Sequence, residues 1–305
     1  MRRDVCRIEG RHLCSTSIEA GIKIRQVLKI NRQVNPFAEW LGYFFRSKHR
    51  KGFGVHSPFV FYLVTKVIEE RLPYYKYELV EKVRAALLRT KKQLQVKNAE
   101  GNLQLRHISD EVKDNSLIPS YGQVLFRLVN HSKAKYLLEL KASFGLSSMY
   151  MAAPDSRSKL WTIEEGDTAK FAELSYKHAD FHNIHLEEGV AQDALERVLR
   201  KMERVDFLFF NPDMRFVDFA ALESMYEKCV AKMHDGSVAV VDGIHRHQEA
   251  KSLWEKLKED DRVRVTIDLY VFGIVYYNKE LQKENYVLRF FPSIKESLKR
   301  IFRKI

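Results

Sequence analysis

The chain is short of the residues that build small cross-linked folds: it has 3 cysteines, 7 prolines and 13 glycines in 305 residues. Cys6, Cys14 and Cys229 make no CxxC pair and no even-numbered framework. That excludes a disulfide scaffold and offers no zinc-ligand spacing. No apolar run approaches the roughly 18 uncharged residues of a membrane span. The N-terminus carries arginines without the apolar stretch of a secretory signal, and a cytoplasmic location is expected. No internal repeat is visible.

What is present is enough apolar surface for a sizeable core, with 45% hydrophobic and 12% aromatic residues. The formal charge is +12, and it sits at the ends. Residues 1–60 hold 12 Lys/Arg against 4 Asp/Glu, and residues 293–305 hold 5 against 1. The stretch between, 61–292, is balanced at 35 against 35. A fold that grips polyphosphate usually carries the positive charge within itself, so the core is not expected to bind nucleic acid.

Four regions follow from the texture. Residues 1–34 are a basic extension with few apolar anchors. Residues 35–118 read as helical, with Ser57 and Pro58 opening the first convincing helix as cap and first-turn proline. A second helix is predicted over about Tyr77–Thr90, and the polar stretch Lys91–Arg106 reads as a linker or surface loop. Short helices are expected near His107–Asn115 and Tyr121–Asn130. The apolar stripe of Phe59–Ile68 would pack within the chain or across a homodimer.

From Lys135 short apolar runs alternate with amphipathic stretches, the pattern of a parallel sheet with crossover helices. The runs are Tyr136–Leu140, Leu160–Ile163, Ile184–Leu186, Val205–Phe210 and Val238–Val241. Helices are predicted between them over Thr168–Asp180, Ala191–Met202, Phe216–Met233 and Gln248–Glu259. Val263–Leu269, Phe272–Tyr277 and Tyr286–Phe290 read as strands, the last two joined as an antiparallel hairpin. The end of the chain, 293–305, alternates Ile294, Leu298, Ile301, Phe302 and Ile305 with Lys and Arg. This basic amphipathic helix suits contact with an anionic membrane surface or docking on the chain's own N-terminal helices.

In a doubly wound sheet, ligands bind at the carboxyl ends of the strands. After the first run come Glu139, Lys141, Ala142, Ser143, Gly145 and Ser147, whose small residues let the backbone approach a ligand. After the second comes Glu164, about 25 residues beyond the first strand, the place for a carboxylate that accepts from ribose hydroxyls. Gly189 to Asp193 form a polar turn able to bond an adenine edge. Asn211 and Asp242 end the fourth and fifth runs, and His245 follows.

These segments, in order over Pro119–Tyr277, resemble the class I methyltransferases that use S-adenosylmethionine, and among them the small O-methyltransferases of the catechol type. His56-Ser57-Pro58-Phe59 is similar to the N-terminal segment of a bacterial group in that superfamily. The resemblance implies a Rossmann-like, seven-stranded α/β sheet over residues 119–292, with an N-terminal helical region covering the active site. It implies S-adenosylmethionine as cofactor, held by Glu139, Lys141, Ala142, Ser143, Gly145, Ser147, Glu164, Gln192, Asp193 and Asn211. The acceptor would be a small molecule methylated at oxygen.

The departures are specific. Lys141 stands where the family has glycine. Asn211 and Asp242-Gly243 stand where the catechol type gathers carboxylates for a divalent metal, which asks for several hard oxygens. Met214 and Arg215 stand near the place of the family's lysine base. No metal is expected, and Asp242 with His245 is left as the acid/base pair. Each residue also has a plainer reading: Glu139 and Glu164 as capping or paired acids, Gln192 and Asp193 as a helix cap, His245 as a surface histidine. A catalytically inactive protein of the same fold, acting as a binding or partner module, is the alternative. A membrane-surface or RNA-associated enzyme is a third reading, prompted by the basic ends.

Overall fold

The computed structural model describes residues 36–47, 52–97, 101–211 and 217–290. The expected extension over 1–34, the C-terminal helix over 293–305 and the positions of Met214 and Arg215 lie outside them. Helix α1 (Pro36–Arg46) comes first, then α2 (Pro58–Leu63), which continues as a π-helical turn over Val64–Ile68. Ser57 caps α2 as expected, its Oγ accepting from the Val60 N–H at 3.4 Å, with Pro58 in the first turn. The stripe behind it packs within the chain: Val60, Leu63, Val64, Val67 and Ile68 are buried against helix α5 (Pro119–Ser132) and the sheet. Arg127 of α5 is 5% exposed and closes the π-helical turn, donating to the carbonyls of Val67 at 2.5 Å and Ile68 at 2.9 Å. Carbonyls left open at a helix end thus find a buried guanidinium.

Helix α3 (Tyr75–Arg89) follows, and then the prediction fails. The stretch expected as a loop is an antiparallel hairpin of β1 (Gln93–Lys97) and β2 (Leu103–His107), paired from Gln93↔His107 to Lys97↔Leu103. Helix α4 (Ile108–Asn115) is pinned to it by Arg106, which meets Glu111 at 2.8 Å and Asp114 at 2.7 Å.

The main sheet has eight strands: β3 (Tyr136–Leu140), β4 (Lys159–Glu164), β5 (Ile184–Glu188), β6 (Val205–Phe210), β7 (Met233–Asp242), β8 (Val265–Asp268), β9 (Phe272–Tyr276) and β10 (Glu284–Val287). Their order is β10-β8-β9-β7-β6-β3-β4-β5. The neighbours are parallel except at β9, which runs antiparallel to β7 and β8. Helices α6 (Leu146–Ala152), α7 (Gly166–His178), α8 (Ala191–Lys201), α9 (Phe219–Val230) and α10 (Gln248–Glu259) make the crossovers.

Strand β6 shows why the runs are continuous rather than alternating. All six of its residues are buried, Phe207 and Phe209 in the core beneath α2 and α5, Leu208 and Phe210 in the core beneath α8, α9 and α10. A sheet covered on both faces reads as unbroken apolar sequence.

The expected closing hairpin is corrected in one respect. β9 and β10 do run in opposite directions, but β8 lies between them, and the hairpin joins β8 to β9 through a tight turn at Tyr270 (φ +70°). Both edges of β9 are already paired, so β10 can add only outside β8, making an eighth strand beyond the expected seven. Among the described residues no helix is long and apolar enough to cross a membrane.

Candidate active site

The carboxyl ends of β3, β4 and β5 open into a cleft of about 530 Å³. Its floor is made by Lys141, Ser143, Ile163 and Glu164, one wall by Gly189–Gln192, and its cover by Gln95, Val96, Lys97 and Leu103 of the hairpin. Glu111 and Asn115 of α4 and Val217, Asp218 and Ala221 near α9 complete it.

The first loop explains itself once its backbone is known. Lys141 has φ +72°, Ser143 +52° and Gly145 +80°. The left-handed turn costs a side-chain-bearing residue roughly 1–2 kcal/mol, which is why glycine suits the position that Lys141 occupies. At Gly145 glycine is required by contact as well, because a Cβ there would stand 2.3 Å from the Tyr176 ring. Two bonds hold the strained loop: the Ala142 N–H donates to the Ile163 carbonyl at 3.0 Å, and the Ser143 N–H donates to the Glu164 carboxylate.

Glu164 is 6% exposed and lies at the bottom of the cleft. Besides Ser143 it accepts from the Glu165 N–H at 3.2 Å and the Thr168 hydroxyl at 3.0 Å. Three donors leave part of a carboxylate's lone-pair capacity for a further donor from the cleft. Burial pushes its carboxyl above the ordinary range, and the nearby Lys141 ammonium and the N–H donors offset this in part.

The structure does not gather all the expected residues. Glu139 is fully buried and faces away from the cleft, accepting from Ser147, Ser148 and, at 2.9 Å, Thr162. Tyr176, the ring that excludes a Cβ at Gly145, donates to Ser148 at 2.7 Å. Glu139 therefore fastens the start of α6 to β4 beneath the loop, with Tyr176 of α7 joined through Ser148, and does not line the cleft. Its burial raises its carboxyl to about 7, against the pull of the three hydroxyls.

A carboxyl raised in the folded state favours folding fully below about 4.5 and loses that contribution as pH rises through about 7. Glu139→Gln, whose amide can bond the same rotatable hydroxyls, is expected to flatten this fall of about 3 kcal/mol. Thermal denaturation across pH 4 to 8 reads it, and parallel curves for the two proteins would refute the assignment.

Asp193 is exposed in the first turn of α8 and does not line the cleft, whereas Gln192 does; neither caps α8, since Val190 holds that position without a side-chain bond. His245 is also displaced from the site. It is 7% exposed, its Nδ1 lies 3.2 Å from Glu39 of α1 and its Nε2 2.7 Å from Asp268 of β8. A base needs a nitrogen open to the substrate, and both of these face carboxylates. Ala142, Ser143, Ser147, Asn211 and Asp242 border a second, small cavity beside the cleft.

At the places where the catechol type gathers its metal ligands, one described side chain is a carboxylate. Asn211 donates its Nδ2 to the Lys141 carbonyl at 3.2 Å, Asp242 supplies one carboxylate, and Gly243 supplies no side chain. Among the described residues no three His, Cys, Asp or Glu side chains are grouped to hold a metal ion.

The hairpin is the part of the site the motifs missed. Leu94 and Val96 alternate with glutamine and lysine, Leu103 and Leu105 do the same across the Gly101-Asn102 turn, and period-two alternation was the available signal. Leu94, 2% exposed, anchors it in the core with Val96 packed beside it, and polar bonds add to this: Lys97 meets Glu165 at 2.8 Å and the Gln95 N–H donates to Asp167 at 3.2 Å.

No protein-family model matches the chain, and no curated protein does. Among solved structures it is similar to an O-methyltransferase of Streptomyces achromogenes involved in tomaymycin synthesis, solved with S-adenosylmethionine. The identity is 18%, the match covers 71% of this chain and 94% of that one, and the TM-score is 0.50. An O-methyltransferase of Bacillus cereus, solved with S-adenosylhomocysteine, matches at 19% identity over 70% of this chain and 94% of that one, with a TM-score of 0.48. The sheet order, with an antiparallel β9 inserted beside β7, and the likeness to the Streptomyces enzyme give one conclusion: the chain has the fold of the class I S-adenosylmethionine-dependent methyltransferases.

Proposed function

We propose that the protein binds S-adenosylmethionine in the cleft above β3, β4 and β5 and transfers its methyl group to a small-molecule acceptor, at oxygen and without a catechol-type metal. The observation that carries this reading is Glu164, a buried carboxylate at the floor of a cleft on a sheet of methyltransferase order. Glu164 would accept from the ribose hydroxyls, the Gly189–Gln192 wall would flank the adenine, and the Lys141–Ser143 loop would meet the amino-acid end. The cofactor supplies an activated methyl on a sulfonium. The chain's own contribution is orientation of the two reactants and exclusion of water beneath the hairpin.

A second reading, binding without transfer, is favoured by Lys141. Its ammonium borders the cleft, and a positive charge near the sulfonium disfavours the substrate form of the cofactor. Isothermal titration separates the readings. The wild type is expected to bind both S-adenosylmethionine and S-adenosylhomocysteine, and absence of both at millimolar concentration would overturn the proposal. Lys141→Gly is expected to bind less tightly if the lysine serves the enzyme; a large gain in affinity for S-adenosylmethionine alone would favour the binding module.

A further inference from the structure

Helix α1 is amphipathic the wrong way round for a surface helix. The side it lays on the body carries polar groups: Glu39 meets His245 at 3.2 Å and Lys251 at 2.5 Å, and the Tyr43 hydroxyl donates to the Leu288 carbonyl. Ala38, Leu41 and Phe45, at i, i+3 and i+7, share the opposite side and are exposed, Leu41 at 38% and Phe45 at 71%. Trp40 and Phe44, stacked at 5.6 Å, stand between the two sides and are only partly covered. A surface helix ordinarily turns its apolar stripe inward, because that is the side that gains from leaving water. An apolar stripe turned outward marks a surface that meets a partner.

Charge identifies the partner, because both basic ends of the chain join the body at this helix. Residues 1–35, with 8 Lys/Arg against 3 Asp/Glu, lead directly into Pro36. Residues 293–305, with 5 against 1, follow closely on Phe290, whose N–H donates to the Tyr43 hydroxyl at 3.3 Å. Arg289 is fixed there too, its guanidinium over the Phe44 ring at 4.8 Å. Pro36 and Tyr43 lie about 10 Å apart along one helix, so the two basic segments attach at one pole. The body between them, 61–292, is balanced in charge. A neutral body with its positive charge gathered at one pole is attracted and oriented by a negative surface. An apolar stripe beside clustered Lys and Arg is the pattern of a helix lying in the headgroup layer of an anionic bilayer. The 293–305 segment repeats that pattern with Ile294, Leu298, Ile301, Phe302 and Ile305. If the two stripes covered each other, the positive charge would be left unmatched. RNA would match the charge and leave the stripe in water. An anionic bilayer matches both.

We propose that α1 and the two basic segments form a membrane-surface contact, with Leu41 and Phe45 entering the headgroup layer and the Lys and Arg side chains meeting anionic lipid. The contact holds the protein against one face of the bilayer without crossing it. It is independent of what the cleft binds.

Sedimentation of the full chain with phosphatidylcholine vesicles, with and without phosphatidylglycerol, tests the proposal at low and high salt. The wild type is expected to bind the vesicles containing phosphatidylglycerol about tenfold or more tightly than the others, and to lose most of that preference in high salt. Phe45→Asp, and separately Lys299→Glu combined with Arg303→Glu, are each expected to weaken this binding about tenfold with the melting temperature unchanged. A wild type that ignores both kinds of vesicle overturns the proposal, and so does one whose binding survives both sets of substitutions. Where vesicles do not bind, three results name the occupant instead. A dimer in sedimentation velocity that Phe45→Asp dissolves makes it a second copy. Deuterium-exchange protection over 293–305 that Phe45→Asp releases makes it the chain's own segment. A complex with polyuridylate that the Lys299 and Arg303 substitutions abolish makes it RNA.

Discussion

Glu164→Gln is expected to weaken S-adenosylhomocysteine by roughly 10- to 150-fold, the effect of about 1.5–3 kcal/mol that a hydrogen bond to a charged group carries. The carboxylate is asked to do two things at once. One oxygen takes the Ser143 N–H and holds the loop, while the other takes the Glu165 N–H and the Thr168 hydroxyl at the start of α7. Its remaining capacity faces the cleft. An amide has one oxygen and one NH₂, and either orientation sets the NH₂ against a backbone N–H that it cannot satisfy. Loosening Ser143 frees a loop with two side-chain-bearing residues at positive φ, so the substitution removes a ligand contact and the geometry that presents it. Calorimetric titration measures the loss, and an affinity within twofold of the wild type would remove Glu164 from the site. The pH dependence has a definite sign. Because burial raises this carboxyl, its acceptor form is lost as pH falls through a value above 4.5, and affinity should decline there in the wild type but not in Glu164→Gln.

How much of this was legible in the sequence depends on which force sets each element. Strands buried on both faces need unbroken apolar runs, and Val205–Phe210 was bounded to the residue from sequence. The crossover helices were found because burial on one side imposes a period near 3.6, as in Gln248–Glu259. The hairpin at 93–107 was missed because Leu103 and Leu105 are exposed and its strands are polar on both flanks, so alternation competed with a loop-like composition. The position of β10 was missed because adjacency in a sheet is decided by which edges are still unpaired, and no local pattern reports that. The site divides in the same way. Glu164 and the Lys141–Ser147 loop were legible from spacing, since a strand end fixes their place. Glu139 and His245 were misplaced because sequence says which residues follow a strand but not which way each side chain turns. Glu139 turns toward three hydroxyls, and His245 turns toward a helix more than 200 residues away.

His245→Ala is expected to lower stability by about 3–5 kcal/mol, the cost of removing one member of a buried ionic group. His245 and Asp268 are each 7% exposed and Glu39 is 14% exposed, so both carboxylates lose a partner in a place with little solvent. The ring meets a carboxylate at each nitrogen and so ties Glu39 of α1 to Asp268 of β8. The ring also stacks on Tyr270 at 5.3 Å, while Asp268 accepts the Tyr270 N–H at 2.8 Å, so the histidine organises the β8–β9 turn. Through Glu39 it fastens α1, whose other anchors include the Lys251 ammonium at 2.5 Å on Glu39, the Tyr43 hydroxyl donating to the Leu288 carbonyl, and Arg289 donating to the Phe44 carbonyl at 3.2 Å. Deuterium exchange is therefore expected to rise over residues 38–46 and 268–272 in the variant, while the cleft keeps its affinity for S-adenosylhomocysteine. A catalytic base would give the reverse, full stability with lost turnover, and that result would return His245 to the chemistry. Acid gives an independent check. Burial alone would raise the Glu39 carboxyl, but hydrogen bonds from Lys251 and His245 outweigh it and hold the group below its ordinary 4.5. A lowered folded-state value means that its contribution is complete above 4.5 and is lost as pH falls through the lower value. The wild type should accordingly release α1 in acid below 4.5, and Glu39→Gln should lose that step in its exchange profile.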